Sequence, residues 1–159
     1  KQKKILISGG DDATVNIWLL SKKEPISLLK GQKSTITMIT SHAKENYIAG
    51  GALDGTIKIW DLAQDGKAVR TFGCSEGTSC IGLKFHPFVD ILATMSSNSI
   101  IHLWDFRQRR IIKQIDAPED VNLQSTGLPC LEFSPDGKWF CYSTISNSEN
   151  ILNIWELSS

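Results

Sequence analysis

The 159 residues carry 17 basic and 17 acidic side chains and are 41% hydrophobic, a balance that is neither disordered-like nor membrane-like and suits one ordinary core. Zero net charge argues against a dedicated nucleic-acid binder, which carries a basic excess. No apolar run approaches the roughly 18 residues of a membrane span, and "KQKKILISGG" is too short in its apolar part for a secretory signal.

In chain order, period-two alternation of β-branched and aromatic residues predicts three strands at 4–9, 14–19 and 25–30. Four follow at 34–41, 46–51, 56–61 and 68–73, and four more at 79–85, 90–96, 99–104 and 110–116. The last three fall at 128–133, 138–145 and 150–156. "GGDD", "LDG", "SSNS" and "SPDG" supply the small and Asx residues of tight turns. No segment reads as a helix of any length.

Four stretches share one design: "DATVNIWLL", "DGTIKIWDL", "NSIIHLWDF" and "ENILNIWEL" are each a polar turn, an alternating strand and a Trp. Trp18, Trp60, Trp104 and Trp155 lie 42, 44 and 51 residues apart, the last interval stretched by "DAPEDVNLQSTG" (116–127) and "SNSEN" (146–150). A period of about 40–45 with Trp-Asp signatures is that of a WD40 β-propeller, with four strands, a to d, per blade. The chain is therefore expected to be all-β, with about four blades. Blade 1 has strands b to d (1–30), blade 2 covers 31–73, blade 3 covers 74–116, and blade 4 has strands a to c (117–159). Incomplete at both ends, it is expected to be part of a larger propeller or to complete itself by association. A closed four-bladed ring is the alternative.

In such blades the strand-c Trp, a strand-b Ser or Thr, the turn Asp and the His of a Gly-His dipeptide form a hydrogen-bonded tetrad. Trp18, Trp60, Trp104 and Trp155, with Asp12 and Asp54 in the turns and Asp105 after its Trp, are the structural repeat residues. Asn98 and Glu149 replace the turn Asp in the later repeats. Ser8 and Thr94 fit strand b, but Gly50 occupies the equivalent place. Gly31-Gln32 and Gly73-Cys74 stand where Gly-His is expected, and the dipeptide is absent before blade 4. These blades are thus expected to lean on packing more than on the polar network.

Chemistry-bearing motifs are absent: no phosphate-cradling G-x-x-x-x-G-K-[ST], no G-x-G-x-x-G, no G-x-S-x-G. Cys74, Cys80, Cys130 and Cys141 have no zinc-ligand spacing and read as buried thiols in a reducing compartment. His42 and His86 fall in a–b loops and His102 alternates outward on strand c; each reads as structural or solvated. Trp139 and Phe140 read as blade core. No catalytic, metal or cofactor residue is expected, and no enzyme activity.

"GGDDATVNIW", "YIAGGALDGTIKIWDL", "IGLKFHPFVDILATMSSNSIIHLWDFRQRR" and "LEFSPDGKWF" come in an order that resembles the WD40 regulatory subunit of katanin, the microtubule-severing complex. The resemblance spans nearly the whole chain. "GGDD" before V-N-x-W, "FHP" in the third repeat and the WD-x-R arginine cluster are its more particular points, and the lost Gly-His dipeptides depart from it. It implies a non-catalytic scaffold that targets or regulates a severing ATPase at microtubules and centrosomes, in the cytoplasm. The partners would be that ATPase subunit and tubulin, with no nucleic acid and no membrane. The helical C-terminal region by which the family binds the ATPase has no counterpart in these residues. N-x-x-I-x-L-W-D-x-R at 98–107 also resembles the box by which WD40 substrate receptors dock on cullin-RING ubiquitin ligases. A generic structural scaffold is the third alternative.

Loop assignment predicts two unlike faces. Top loops carry Asp11, Asp12, Asp54, Glu76, Asp116, Glu119, Asp120 and Glu149 against Lys33. Bottom loops carry Lys22, Lys23, Lys44, Lys67, Arg107, Arg109, Arg110 and Lys138 against Glu24, Glu45, Asp65 and Asp136. Either zero net charge conceals an acidic top and a more basic bottom, or the loops are simply solvated. The densest cluster, "WDFRQRR" at 104–110, makes Arg107, Arg109 and Arg110 the candidate partner-binding residues, suited to carboxylates.

Overall fold

The computed structural model describes residues 5–75, 77–116, 130–146 and 149–157, and the side chains of 145–150 fall outside that description. Among the described residues, fourteen strands form four antiparallel sheets, each a meander in chain order. Sheet 1 comprises β1 (Ile5–Gly9), β2 (Val15–Leu19) and β3 (Pro25–Leu29). Sheet 2 comprises β4 (Ile36–Ser41), β5 (Tyr47–Ala52), β6 (Thr56–Asp61) and β7 (Lys67–Gly73). Sheet 3 comprises β8 (Cys80–Phe85), β9 (Ile91–Ser96), β10 (Ile100–Asp105) and β11 (Arg110–Asp116). Sheet 4 comprises β12 (Leu131–Phe133), β13 (Trp139–Ser146) and β14 (Glu149–Glu156). The expected all-β blade architecture is present. β12 begins at 131, not 128; 128 and 129 lie outside the described residues.

Period-two alternation gives every sheet two unlike faces. One face of sheet 2 carries Ile48 and Trp60, which pack on Val15, Ile17 and Leu29 of sheet 1. Its other face carries Ala49, Ile57 and Ile59, which pack on Leu92, Trp104 and Phe106 of sheet 3. Sheet 3 repeats the arrangement: Ala93, Ile101 and Leu103 meet Phe133, Phe140 and Tyr142 of sheet 4. A Trp-bearing face thus meets an aliphatic face at each junction. The register shifts just before each of Trp18, Trp60 and Trp104, and such bulges sharpen the local twist of the pair.

The a–b turns at the bottom of the sheets are tied by one recurring device. His42 Nδ1 accepts from the backbone N–H of Lys44 (3.2 Å) and Glu45 (3.0 Å). His86 Nδ1 accepts likewise from Phe88 and Val89, both 3.1 Å. In sheet 4 a serine takes the position: Ser134 Oγ accepts from Trp139 N and donates to Asp136. That hydroxyl and the Lys138 N–H hold the Asp136 carboxyl below the usual carboxylate range. Both histidines are buried, each with its ring edge-on to a Phe of the next sheet: His42 against Phe85 and His86 against Phe133.

Three expectations are corrected. His102 is not outward but buried at 5% exposure, covered by Gln114 (3.2 Å to its Oε1) and the Trp104 ring. Phe140 is core, whereas Trp139 is 43% exposed, because one-residue alternation puts it on the opposite face of β13. Of the four thiols, Cys74 and Cys80 are buried, Cys130 is exposed and Cys141 is partly exposed. The neighbouring Cys74 thiol and burial push the Cys80 thiol well above the usual range.

Among the described residues, nothing covers the apolar outer faces of the end sheets. Sheet 1 exposes Leu6 and Leu28, and sheet 4 exposes Trp139, Leu152 and Ile154. The last three line an open concavity of about 600 Å³ with Cys141, Phe133 and Pro135.

Two outcomes follow from this packing. Trp60→Ala removes a fully buried ring and is expected to cost about 3–5 kcal/mol, whereas Trp139→Ala, on the open face, costs much less. Urea midpoints measure the difference, and equal midpoints would refute the face assignment. The second concerns His42, whose Nε2 has no partner among the described residues. Burial holds it below the ordinary histidine value; Arg107 and His86 add to that effect, while Glu45 and Asp90 oppose it. The folded value lies below the unfolded one of about 6.5, so the contribution is complete above that pH and is lost as pH falls through the lowered folded value. The urea midpoint of wild type should therefore drop as pH falls below about 6.5. That drop should shrink in His42→Asn, which keeps an acceptor without titrating. Parallel pH profiles would remove His42 from the explanation.

Candidate functional site

The repeat tryptophans lie on the strand c of each sheet, and three different partners serve the indole N–H groups of Trp18, Trp60 and Trp104. Trp18 donates to Ser8 Oγ (2.9 Å) and Trp104 to Thr94 Oγ1 (3.0 Å). Trp60 instead donates to the Lys30 carbonyl (3.0 Å). A Cβ at Gly50 would stand 2.9 Å from the Trp60 ring, so glycine makes room for the indole while surrendering the hydroxyl. Trp155 is 38% exposed, with the Lys113 ammonium 4.8 Å over its ring.

The expectation is that the blades lean on packing more than on the polar network; in blade 2 a polar network is nonetheless present, built around a different residue. Gln32, in the place of the dipeptide His, is buried. Its Nε2 donates to the Gly50 carbonyl (3.0 Å), and its Oε1 accepts from the Thr56 hydroxyl (2.9 Å). Asp54 Oδ1 accepts from the Thr56 N–H, as Asp12 Oδ1 does from Thr14. Asn98, replacing the turn Asp, accepts from Ser96 Oγ. An amide therefore does the imidazole's bridging. The signal was in the sequence as Gly31-Gln32, since Gln presents both a donor and an acceptor. These top-loop carboxylates are bound within their own turns. Of the other predicted top acids, Glu76, Glu119, Asp120 and the Glu149 side chain lie outside the described residues.

At the bottom, the Asp of each Trp-Asp pair organises the c–d turn. Asp61 Oδ1 accepts from Ala63 N (2.9 Å) and opens the short 3-10 turn Leu62–Gln64. Asp105 Oδ1 accepts from Gln108 N (2.8 Å), and Arg109 then takes a left-handed conformation, φ 58°. The carboxylate thereby satisfies a donor that the tight turn would leave unpaired.

The three candidate arginines divide. Arg107 is exposed but ion-paired within the molecule: its Nη2 meets Glu45 at 2.7 Å and its Nε meets Asp90 at 2.6 Å, one carboxylate from sheet 2's turn and one from sheet 3's. Its guanidinium also lies 5.5 Å from the Tyr47 ring centre and 5.9 Å from that of Phe106. These partners hold its proton more tightly than usual, the Asp90 hydrogen bond most. Arg109 and Arg110 are exposed. Arg110 Nε is 3.9 Å from Asp105, and Arg109 has no ion pair among the described residues. Lys44 is also engaged, 4.3 Å over the Phe88 ring. What remains is a rim with Lys22, Lys23, Lys67, Arg109, Arg110 and Lys138 exposed.

Comparison with known proteins agrees with this repeat architecture. Residues 23–61 match the family model for the WD domain, G-beta repeat. Human Protein NEDD1 is 33% identical over 113 residues, covering 70% of this chain and 17% of its own length. Bovine Pre-mRNA-processing factor 19 is 24% identical over 152 residues, covering 96% and 28%. Nuclear distribution protein nudF of Aspergillus terreus is 27% identical over 154 residues, covering 83% and 33%. The chain thus spans a third or less of the length of these relatives. A recurring Trp face, a capped c–d turn and a matching family model together make this a WD40-repeat protein.

Proposed function

We propose that the chain is a non-catalytic interaction scaffold, one part of a larger propeller divided at 1–30, 31–73, 74–116 and 117–159, whose bottom rim meets an acidic partner surface. The observation that carries this is the asymmetry among the rim arginines. Asp105 shapes a turn that holds Arg109 and Arg110 outward, while Arg107, two and three residues earlier, is neutralised by Glu45 and Asp90. Relatives whose names speak of pre-mRNA processing and of nuclear distribution share this repeat. What they have in common is therefore a surface for assembly rather than one chemistry. The uncovered faces of sheets 1 and 4 support further blades beside them.

The residue-level resemblance to the katanin WD40 subunit gives the partner its identity in this reading. It is a microtubule-severing ATPase and the microtubule itself, in the cytoplasm at microtubules and centrosomes. Carboxylate-rich tubulin surfaces suit exposed guanidinium groups. Rim charges act chiefly on association rate and salt dependence.

Co-sedimentation with microtubules, with and without the severing ATPase, tests the proposal. Wild type is expected to pellet at low salt and to release as ionic strength rises above about 0.1 M. Arg109→Glu with Arg110→Glu is expected to abolish pelleting with an unchanged melting temperature. Unchanged pelleting by that folded double variant would overturn the rim assignment.

A further inference from the structure

Between sheets 2 and 3, just inside the rim, lies a cavity of about 90 Å³ lined by Tyr47, Ile59, Gln64, Val69, Arg70, Phe106 and Arg107. Arg70 pairs across the ladder with Ile59, whose side chain is fully buried against sheet 3. Residues opposite one another share a face, so Arg70 is turned toward the junction and is partly buried there. Its guanidinium is poorly matched there. Nη1 donates to the carbonyl of its own neighbour Val69 (2.7 Å), Nε is buried without an acceptor, and no carboxylate pairs with it among the described residues. The same ladder position in sheet 1 is Ser27, and in sheet 3 it is Lys113, which rests on the Trp155 ring. Arg70 has neither solution.

We infer that this cavity takes a single carboxylate side chain from a partner protein, with Arg70 as its ligand. A guanidinium offers planar donors that a carboxylate accepts in pairs. Arg107 cannot serve as that ligand, because Glu45 and Asp90 already occupy it. It does, however, keep the Tyr47 hydroxyl nearby: its Nη1 donates to that oxygen at 3.5 Å, and the phenolic O–H retains its own donor. Ile59, Val69 and Phe106 give an apolar wall suited to the methylenes of Asp or Glu. The volume is that of about three water molecules in the liquid, room for a carboxylate on a short stem.

This deepens the rim proposal by naming what one pocket accepts, but it stands on Arg70 and not on Arg109 or Arg110. The experiment uses the full chain and follows the Arg Nε–H resonances by NMR, with the Arg70 signal identified by its loss in Arg70→Lys. Acetate is the probe, and neutral acetamide and inorganic phosphate are the controls. Acetate is expected to shift the Arg70 signal saturably. Acetamide should not, phosphate should do so more weakly, and a peptide of alternating Gly and Glu should compete where its Gly-Gln counterpart does not. Arg109→Glu with Arg110→Glu should keep the acetate response, and Arg70→Gln should lose peptide binding at least tenfold while melting as wild type does. No acetate response, an equal response to acetamide, or a preference for phosphate would overturn the assignment, the first leaving a cavity filled by water only. A normal acetate response beside unchanged microtubule pelleting by the rim variant would sink the rim proposal alone. The converse would sink this one alone.

Discussion

Every sheet in this protein is apolar on both faces, and that constraint governs the rest. A face bearing Ile57 and Ile59, or Ile101 and Leu103, cannot stay in water without a large free-energy cost, so a second sheet must cover it. The covering face presents a strand-c Trp or an aromatic of strand b. A buried Trp removes about 150–250 Å² from water, worth roughly 4–6 kcal/mol gross before entropy. Because each sheet has one face of each kind, the junction repeats with a direction. Among the described residues, the directionality leaves uncovered the Trp18-bearing face of sheet 1 and a face of Trp139, Leu152 and Ile154 on sheet 4.

Local polar chemistry is subordinate to that packing and has been free to change. Three indole N–H groups find a serine, a threonine and a backbone carbonyl, all at 2.9–3.0 Å. The requirement is that a buried donor be satisfied, not that one residue type satisfy it. Gly50 shows the trade most plainly. Losing the strand-b hydroxyl makes room for the Trp60 ring, and Gln32 bonds the buried Gly50 carbonyl. At Gly51, beside it on the opposite face, a side chain would collide with Cys80 of the next sheet, so this glycine sets how close strand a of sheet 3 approaches.

The strands, their order and the blade repeat were legible because period-two alternation and Trp spacing depend only on nearby residues. What was not legible depended on neighbours distant in sequence. Trp139 and Phe140 are adjacent and both aromatic, and only the location of sheet 3 decides that Phe140 is buried while Trp139 is not. His102 looked outward by alternation, yet Gln114 of the next strand and the Trp104 ring cover it. Among the site residues, the cluster 104–110 was visible, but its internal division was not. Glu45 lies 62 residues from Arg107, and no local pattern announces that ion pair. Arg70 carried no signal at all, since a lone arginine in a strand reads as solvated until its ladder partner is known.

The ion pairs of Arg107 also bear on how the rim works. Its carboxylate partners come from the a–b turns of two different sheets, and each pair is about two-fifths exposed. Exposed pairs of this kind contribute little to stability, about 0–1 kcal/mol. Their larger effect is geometric: they fix the turns of sheets 2 and 3 to one another where Tyr47 and Phe106 meet edge to face. A guanidinium used in this way offers little net charge to an incoming partner. The charge that remains at the rim, on Arg109 and Arg110, is then carried on a turn braced by Asp105 against a fixed junction. Arg70 lies behind it within that junction, so two kinds of cation stand at this end: an exposed pair that acts at a distance and is screened by salt, and a partly buried one whose Nε has no acceptor among the described residues.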